Sequence, residues 1–296
     1  MTIIDLGTGA AVDMPSVPLS IALGSFDGVH VGHRAIIARA AAIAPQGAAP
    51  AVWTFAENPF GVPCLTSPEE KLGLLAECGA KYAIVCKFDE VASLAPEEFV
   101  DQLIGFGAVA LTCGFNYTFG AGKSGDADTL VRLCGERGLR CAVVDRVDVG
   151  GERVSSTRIR ELIAAGAVDK AAELLGRPYS VTAPVEHGNK LGRTIGFPTI
   201  NQHISADRAI PGRGVYASRC MDMPAVTNVG VRPTVTDDGE VVCETHIIGD
   251  CGDLYGKIVT VRLLRFLRDE RKFKSLEALK PQLQIDSAAS TAINKE

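Results

Sequence analysis

No Cys-x-x-Cys pair occurs in this 296-residue chain, although it carries nine cysteines. An odd number without paired spacing argues against a disulfide framework and a zinc ribbon, and leaves most of these thiols as small buried hydrophobes. Long basic runs are missing too: 30 Lys and Arg against 35 Asp and Glu give a net charge of −5. That balance disfavours nucleic acid or an anionic membrane as partner, while local Arg and Lys remain available for small anions. There is no run of about 18 apolar residues, and the opening MTIIDLGTGAAVDMP lacks a basic n-region followed by an apolar h-region. A soluble, cytoplasmic protein is expected, with neither membrane nor nucleic acid as partner. Internal repeats are absent as well.

What is present is a length sufficient for two cores and a change of pattern between them. From residue 19 to about 147, the runs LSIAL, AVWTF, YAIVCKF, VALTCGF and CAVVDRV alternate with helix-like segments, two of which open with Pro-Glu-Glu. Strands separated by helices predict a parallel sheet. Two more helices, STRIRELIAAG and VDKAAELLG, follow. After Gly176 come YSVTAPVEHG, GVYASRCM, AVTNVG, VVCETHIIG and KIVTVRLLRFL, which predict a small antiparallel barrel or sandwich with a terminal helix, kinked or restarted at Pro281. The expected domains are 1–176 and 177–296.

The stretch GSFDGVHVGH lies where the first strand ends and the first helix begins, the place where open α/β sheets bind ligands. A helix amino terminus there favours phosphate, and glycines let backbone N–H groups approach its oxygens. His30 and His33 add donors whose charge is tunable near neutral pH; without a third ligand they make a poor zinc site. Ser155, Ser156 and Thr157 lead into Arg158 and Arg160 at a helix start, where hydroxyls, dipole and guanidinium groups converge on an anion or, taken alone, form an N-capped amphipathic helix with solvated arginines. In CGFNYTFGAGKSGD, Gly122-Lys123-Ser124 imitates a P-loop, but Tyr117 stands where the required glycine belongs. Asn116 and Phe119 are nucleotide contacts or, equally, a turn residue and a core residue.

In the second half, HGNKLGRTIGFPTIN gathers three glycines with Lys190, Arg193, Thr199 and Asn201. Thr199 and Asn201 offer oxygen ligands to Mg²⁺, with Mn²⁺ an alternative, while backbone amides hold phosphates. Strand alternation places Glu244 and His246 on one face and Thr245 on the other.

GSFDGVHVGH alone resembles the nucleotidyltransferase signature that grips the phosphates of ATP. Taken in order, GSFDGVHVGH, GFNYTFG, VSSTRIREL, LLGRPYSV, GNKLGRTIGFPTIN, GVYA, TNVGVRPT, ETHIIG, DLYGK and FLRDERKF resemble the bacterial bifunctional riboflavin kinase and FMN adenylyltransferase family, from about residue 19 to 286. The resemblance implies a Rossmann-like nucleotidyltransferase domain followed by a riboflavin kinase β-barrel. It implies riboflavin, FMN and ATP as substrates and Mg²⁺ as cofactor. Glu244 falls at the family's general-base position, with His30 and His33 acting on phosphate in the other domain. ATP and phosphate contacts are implied for Gly24, Phe26, Asp27, Gly28, Asn116, Ser155, Ser156, Thr157 and Arg158 in the first half. In the second they are implied for Gly188, Lys190, Gly192, Arg193, Thr199 and Asn201, with Asn228 and Arg268 on the flavin and Thr199 and Asn201 on the metal. Ile200 departs from the family's alanine, so packing there is expected to differ.

Overall fold

The computed structural model describes residues 1–8, 14–188, 191–232 and 240–296, and packing divides the chain into two compact units, Met1–Ser156 and Thr157–Glu296. In chain order the first contains β1 (Thr2–Asp5), β2 (Leu19–Leu23), α1 (Val31–Ile43), β3 (Ala49–Phe55), α2 (Pro68–Glu77), β4 (Tyr82–Cys86), α3 (Pro96–Gly105) and β5 (Ala108–Gly114). The two-residue strands β6 (Thr118–Phe119) and β7 (Gly125–Asp126), α4 (Ala127–Glu136), β8 (Arg140–Val144), β9 (Asp148–Val149) and β10 (Glu152–Arg153) complete it.

Six strands form one parallel sheet in the order β1-β4-β3-β2-β5-β8. Strands covered on both faces read as continuous apolar runs, and LSIAL is buried throughout. Alternation sends Leu19, Ile21, Leu23, Trp53 and Ile84 to the side of Phe99 and Leu103 of α3 and Leu130 and Leu133 of α4. Ala22, Val52 and Ala83 face the other side, where Ile37 of α1 and Leu75 of α2 pack. β1 is a strand that the motifs did not announce: it pairs with β4 at the sheet edge and buries Ile4. The chain goes from β2 to β3 on one side and returns from β4 to β5 on the other. That reversal creates a crevice beyond the carboxyl ends of β2 and β5.

Next come α5 (Ser156–Ala164), whose first residue belongs to the first unit, α6 (Val168–Leu175), β11 (Tyr179–Pro184), α7 (Leu191–Thr194) and β12 (Ile200–His203). They are followed by β13 (Gly214–Cys220), β14 (Met223–Arg232), β15 (Glu240–Ile247), β16 (Ile258–Arg268) and α8 (Leu276–Ile293). The compact units part upstream of Gly176 because α6 packs on β11 and β16. Gly176 itself ends α6 in the left-handed cap conformation, φ 71°.

The antiparallel order is β11-β16-β13-β14-β15-β12, and a side chain draws its two edges together. Buried Gln202 of β12 donates from Nε2 to the carbonyls of Ala183 in β11 and Val259 in β16, each at 2.7 Å. Beside it the Glu186 N–H donates to Asn201 O at 2.8 Å. The sheet is therefore a nearly closed barrel. α8 runs unbroken through Pro281, contrary to the expected kink or restart, and is pinned to the barrel by Ser290 Oγ donating to Ala225 O at 2.5 Å and Asn294 Nδ2 to Ser218 O at 3.0 Å.

Candidate active sites

Beyond Leu23 the chain turns sharply before α1. Phe26 (φ 53°), Gly28 (φ 83°) and Val29 (φ 40°) occupy the left-handed half of backbone space. Glycine does so freely, whereas a bulky Phe and a β-branched Val are strained there by roughly 1–3 kcal/mol each. Surrounding bonds hold the turn: Val29 N–H donates to Phe26 O (3.1 Å), Leu65 N–H to Asp27 Oδ1 (2.8 Å), Gly28 N–H to Thr66 Oγ1 (3.3 Å) and Ser156 Oγ to Asp27 O (2.9 Å). The Phe26 ring is fully buried, so the turn is bolted to the core on one side and to the segment before α2 on the other. Asp27, expected at phosphate, is buried with its carboxylate turned to the Leu65 N–H.

His30 caps α1, its Nδ1 accepting from the His33 N–H at 3.2 Å. A backbone N–H can only donate, so the neutral His30 ring carries its proton on Nε2. The two imidazoles stack with centroids 3.5 Å apart and planes 13° from parallel, and Phe26 meets His33 edge-on at 5.3 Å. Nδ1 of His33 is buried without a hydrogen-bond partner. Burial, then the His30 ring, then the Lys71 ammonium hold His33 well below the ordinary histidine pKa. At neutral pH this ring is therefore uncharged, and it acts as a hydrogen-bonding group.

Lys71 is a residue that the motifs miss. It is buried in α2, and its Nζ donates to Phe55 O, the last carbonyl of β3, at 2.6 Å. Burial lowers its pKa, an effect opposed by Asp27, Cys64 and Cys86. The signal was its i, i+4 spacing to Leu75, since these two are the buried residues of α2. Asn116 is exposed just past the carboxyl end of β5, whereas Phe119 belongs to the core. Ala121–Lys123 is a short 3-10 turn, in keeping with the rejection of a P-loop. Gly24 follows β2 directly and its N–H donates to Trp53 O at 3.2 Å. Ser155 is half-buried beside Ser156. Thr157 and Arg158 open the second unit, where Arg158 Nη1 lies 3.3 Å from Glu161 Oε2.

In the barrel, strand register lines up residues far apart in the chain. Asn201 of β12 faces Glu244 of β15, Glu244 faces Asn228 of β14, Asn228 faces Val215 of β13, and Val215 faces Arg268 of β16. Directly opposed residues project to the same side of a sheet, so these five form one row. Glu244 is exposed and Thr245 fully buried, the alternation expected. Ile200 is buried opposite Thr245. Asn228 Nδ2 donates to Glu270 Oε1 at 3.0 Å. The Arg268 fork is engaged by Asp286, with Nη2 at 2.8 Å from Oδ2 and Nε at 3.1 Å, while Gln282 donates to Oδ1 at 2.9 Å. These three line a cavity of about 570 Å³ between the end of β16 and α8.

Gly188 lies where a Cβ would land on the Asn201 amide, so only glycine permits this approach. Gly192 O accepts from Ile195 N–H (3.2 Å) and Phe197 N–H (2.8 Å), closing a tight turn, and exposed Arg193 lies 5.9 Å from the Tyr255 ring centroid. Lys190 lies outside the described residues. Thr199 is half-buried immediately before β12. Thr199 hydroxyl, Asn201 amide and Glu244 carboxylate are all oxygen donors, a set suited to a hard divalent cation. Among the described residues no group of three or more His, Cys, Asp or Glu is arranged for a metal, and no helix is long and apolar enough to cross a membrane.

A family model described as FAD synthetase matches residues 15–158, and one described as riboflavin kinase matches residues 175–294. The bifunctional riboflavin kinase/FMN adenylyltransferase of Pseudomonas fluorescens is 35% identical over 285 residues, covering 92% of this chain and 91% of that protein. The chain belongs to this family. Relatives of the same description from Listeria monocytogenes (34% identical, 92% of this chain and 91% of that protein) and Escherichia coli K12 (35%, 90% of each) agree. The protein is thus an ATP-using enzyme with a kinase half and an adenylyltransferase half, whose substrates are riboflavin, FMN and ATP. A solved structure described as a macrolide-efflux protein from Streptococcus pneumoniae shares the fold over 98% of this chain and 99% of its own, with TM-score 0.87 and 30% identity. A divalent metal is typical of such enzymes.

Proposed function

We propose that adenylylation is carried by residues 1–176 and riboflavin phosphorylation by residues 177–296, with Glu244, His30 and His33 as the groups on which the two reactions turn. The observation that supports the first assignment most is the buried, unpartnered Nδ1 of His33 within a stacked imidazole pair at a helix amino terminus. An orphaned buried nitrogen costs roughly 1–3 kcal/mol in the free protein, a cost relieved when a ligand oxygen arrives. FMN phosphate oxygen attacks the α-phosphorus of ATP, one P–O bond forms, the bridge to the β-phosphorus breaks, and pyrophosphate leaves. The imidazoles donate to phosphate oxygens as charge develops. Gly24, Phe26, Asp27 and Gly28 shape the turn around the phosphates. Asn116, Ser155, Ser156, Thr157 and Arg158 complete the nucleotide contacts.

In the kinase half, Glu244 accepts the proton of the riboflavin 5′-hydroxyl as that oxygen attacks the γ-phosphorus and ADP departs. Its neighbours in the register row take the roles on either side: Asn201 toward the nucleotide, Asn228 and Arg268 toward the flavin. Gly188, Lys190, Gly192 and Arg193 hold phosphates. Thr199 and Asn201 would hold Mg²⁺, which neutralises phosphate charge when bound.

A crossed experiment tests both assignments. Riboflavin, FMN and FAD are followed by chromatography after adding ATP and Mg²⁺ to wild type, His30→Ala and Glu244→Gln. His30→Ala should still form FMN while FAD formation falls by about 10² or more. Glu244→Gln should lose riboflavin phosphorylation by about 10²–10⁴ yet convert supplied FMN to FAD. Equal loss of both steps in either variant would overturn the assignment concerned.

A further inference from the structure

His246 lies two residues beyond Glu244 on the same face of β15, and no role above uses it. Its Nδ1 is 2.8 Å from the carbonyl oxygen of Pro198, and its ring packs on Phe197 with centroids 5.0 Å apart. A carbonyl oxygen only accepts, so Nδ1 carries the proton and the imidazole donates. The location gives this bond its meaning. The β12–β15 ladder pairs His203 with Val242, Gln202 with Cys243, Asn201 with Glu244 and Ile200 with Thr245, and there it stops. One residue further it would pair Thr199 with His246. Instead, the His246 side chain reaches the carbonyl just before Thr199. Thr199 is held from both sides, by the ladder at Ile200 and by the imidazole at Pro198.

We infer that His246 is a positioning residue of the kinase centre: its hydrogen bond to Pro198 fixes Thr199 in register with Asn201 and Glu244. The inference rests on the roles proposed above for Thr199 and Asn201. It assigns His246 no contact with substrate and no proton transfer.

Three variants test it in the full-length enzyme. His246→Leu keeps an apolar partner for Phe197 but removes the donor; His246→Asn places an amide N–H where Nδ1 stood; Thr199→Ala tests the underlying reading. The readouts are kcat and KM for ATP in riboflavin phosphorylation at fixed Mg²⁺, together with riboflavin binding by fluorescence quenching in the absence of nucleotide. His246→Leu should raise KM for ATP about tenfold, the size expected for one lost hydrogen bond, with riboflavin binding kept. His246→Asn should return KM to within about threefold of wild type. If His246→Leu matches wild type while Thr199→Ala is impaired, the positioning role alone falls. If His246→Asn is as impaired as His246→Leu, or both lose riboflavin binding, the ring serves packing and the inference is overturned. An unimpaired Thr199→Ala would remove the reading of Thr199 and this inference with it.

Discussion

The two proposed centres of this enzyme are built in opposite ways. In the first unit the histidine turn is one continuous stretch, Gly24 to His33, bent into strained backbone at the end of a strand and held by bonds from Leu65, Thr66 and Ser156. In the second, the row Asn201, Glu244, Asn228, Val215 and Arg268 is collected from five strands by register. The strained turn lets one short segment present backbone amides and the uncharged His33 imidazole together. A barrel row separates the task of each residue from its neighbours in sequence, at the cost of depending on every strand between them. The first centre is thus sensitive to what supports one loop, the second to what holds the sheet.

That contrast can be broken experimentally, most forcefully at α8. Asp286→Leu leaves the Arg268 guanidinium, whose side chain is only 17% exposed, without its carboxylate. Removing one partner of a buried pair costs about 3–5 kcal/mol, so calorimetry should show the second unit melting earlier while the first keeps its transition. A matching fall in both would show that the units are not independent in stability. Gln202→Leu removes two bonds at the barrel seam and should cost the second unit about 2–3 kcal/mol, read in the same scan. An unchanged transition would mean that the seam is held by the ladder alone. Gly188→Ala pushes a methyl against the Asn201 amide and should lower riboflavin phosphorylation about tenfold with adenylylation of supplied FMN unaltered. Loss of both would contradict the separation of centres.

The smallest effect concerns pH and sharpens the comparison from the other side. Folded His33 titrates well below the unfolded value near 6.5. Above that value both states are neutral and the group contributes nothing to the pH dependence. Below it, the unfolded chain binds the proton that the folded one refuses, so stability of the first unit declines as pH falls from about 6.5 toward the folded pKa. Lys71→Met should move the His33 titration upward, because a nearby positive charge is removed. NMR of the imidazole protons in the whole enzyme measures this directly, and an unmoved titration would sever Lys71 from the histidine pair.

Most of the first unit was legible because its strands and helices differ in period and its motif is contiguous. LSIAL ends where GSFDGVHVGH begins, and both features lie in one stretch of chain. β1 was not legible: Thr2–Asp5 is short, half polar, and owes its strand state to Tyr82–Val85, a partner remote in sequence. Lys71 reads as a surface lysine until the fold closes over it. In the barrel, alternation correctly set Glu244 and Thr245 on opposite faces. Which residues stand opposite Glu244 depends on pairing across loops, and no local pattern encodes it. Gln202 likewise reads as a solvated strand residue, and becomes a seam only when β12 approaches β11.

Register carries a further consequence for how this enzyme can change over time. Side chains alternate with a period of two, so inserting or deleting one residue in β15 ahead of Glu244 would turn the carboxylate into the barrel and bring Cys243 or Thr245 to its place in the row. Replacement of single residues is open to the kinase half, whereas length changes within its strands are closed. The contiguous turn of the other half carries no such restriction from strand register; a length change there is felt only through its supports at Leu65, Thr66 and Ser156.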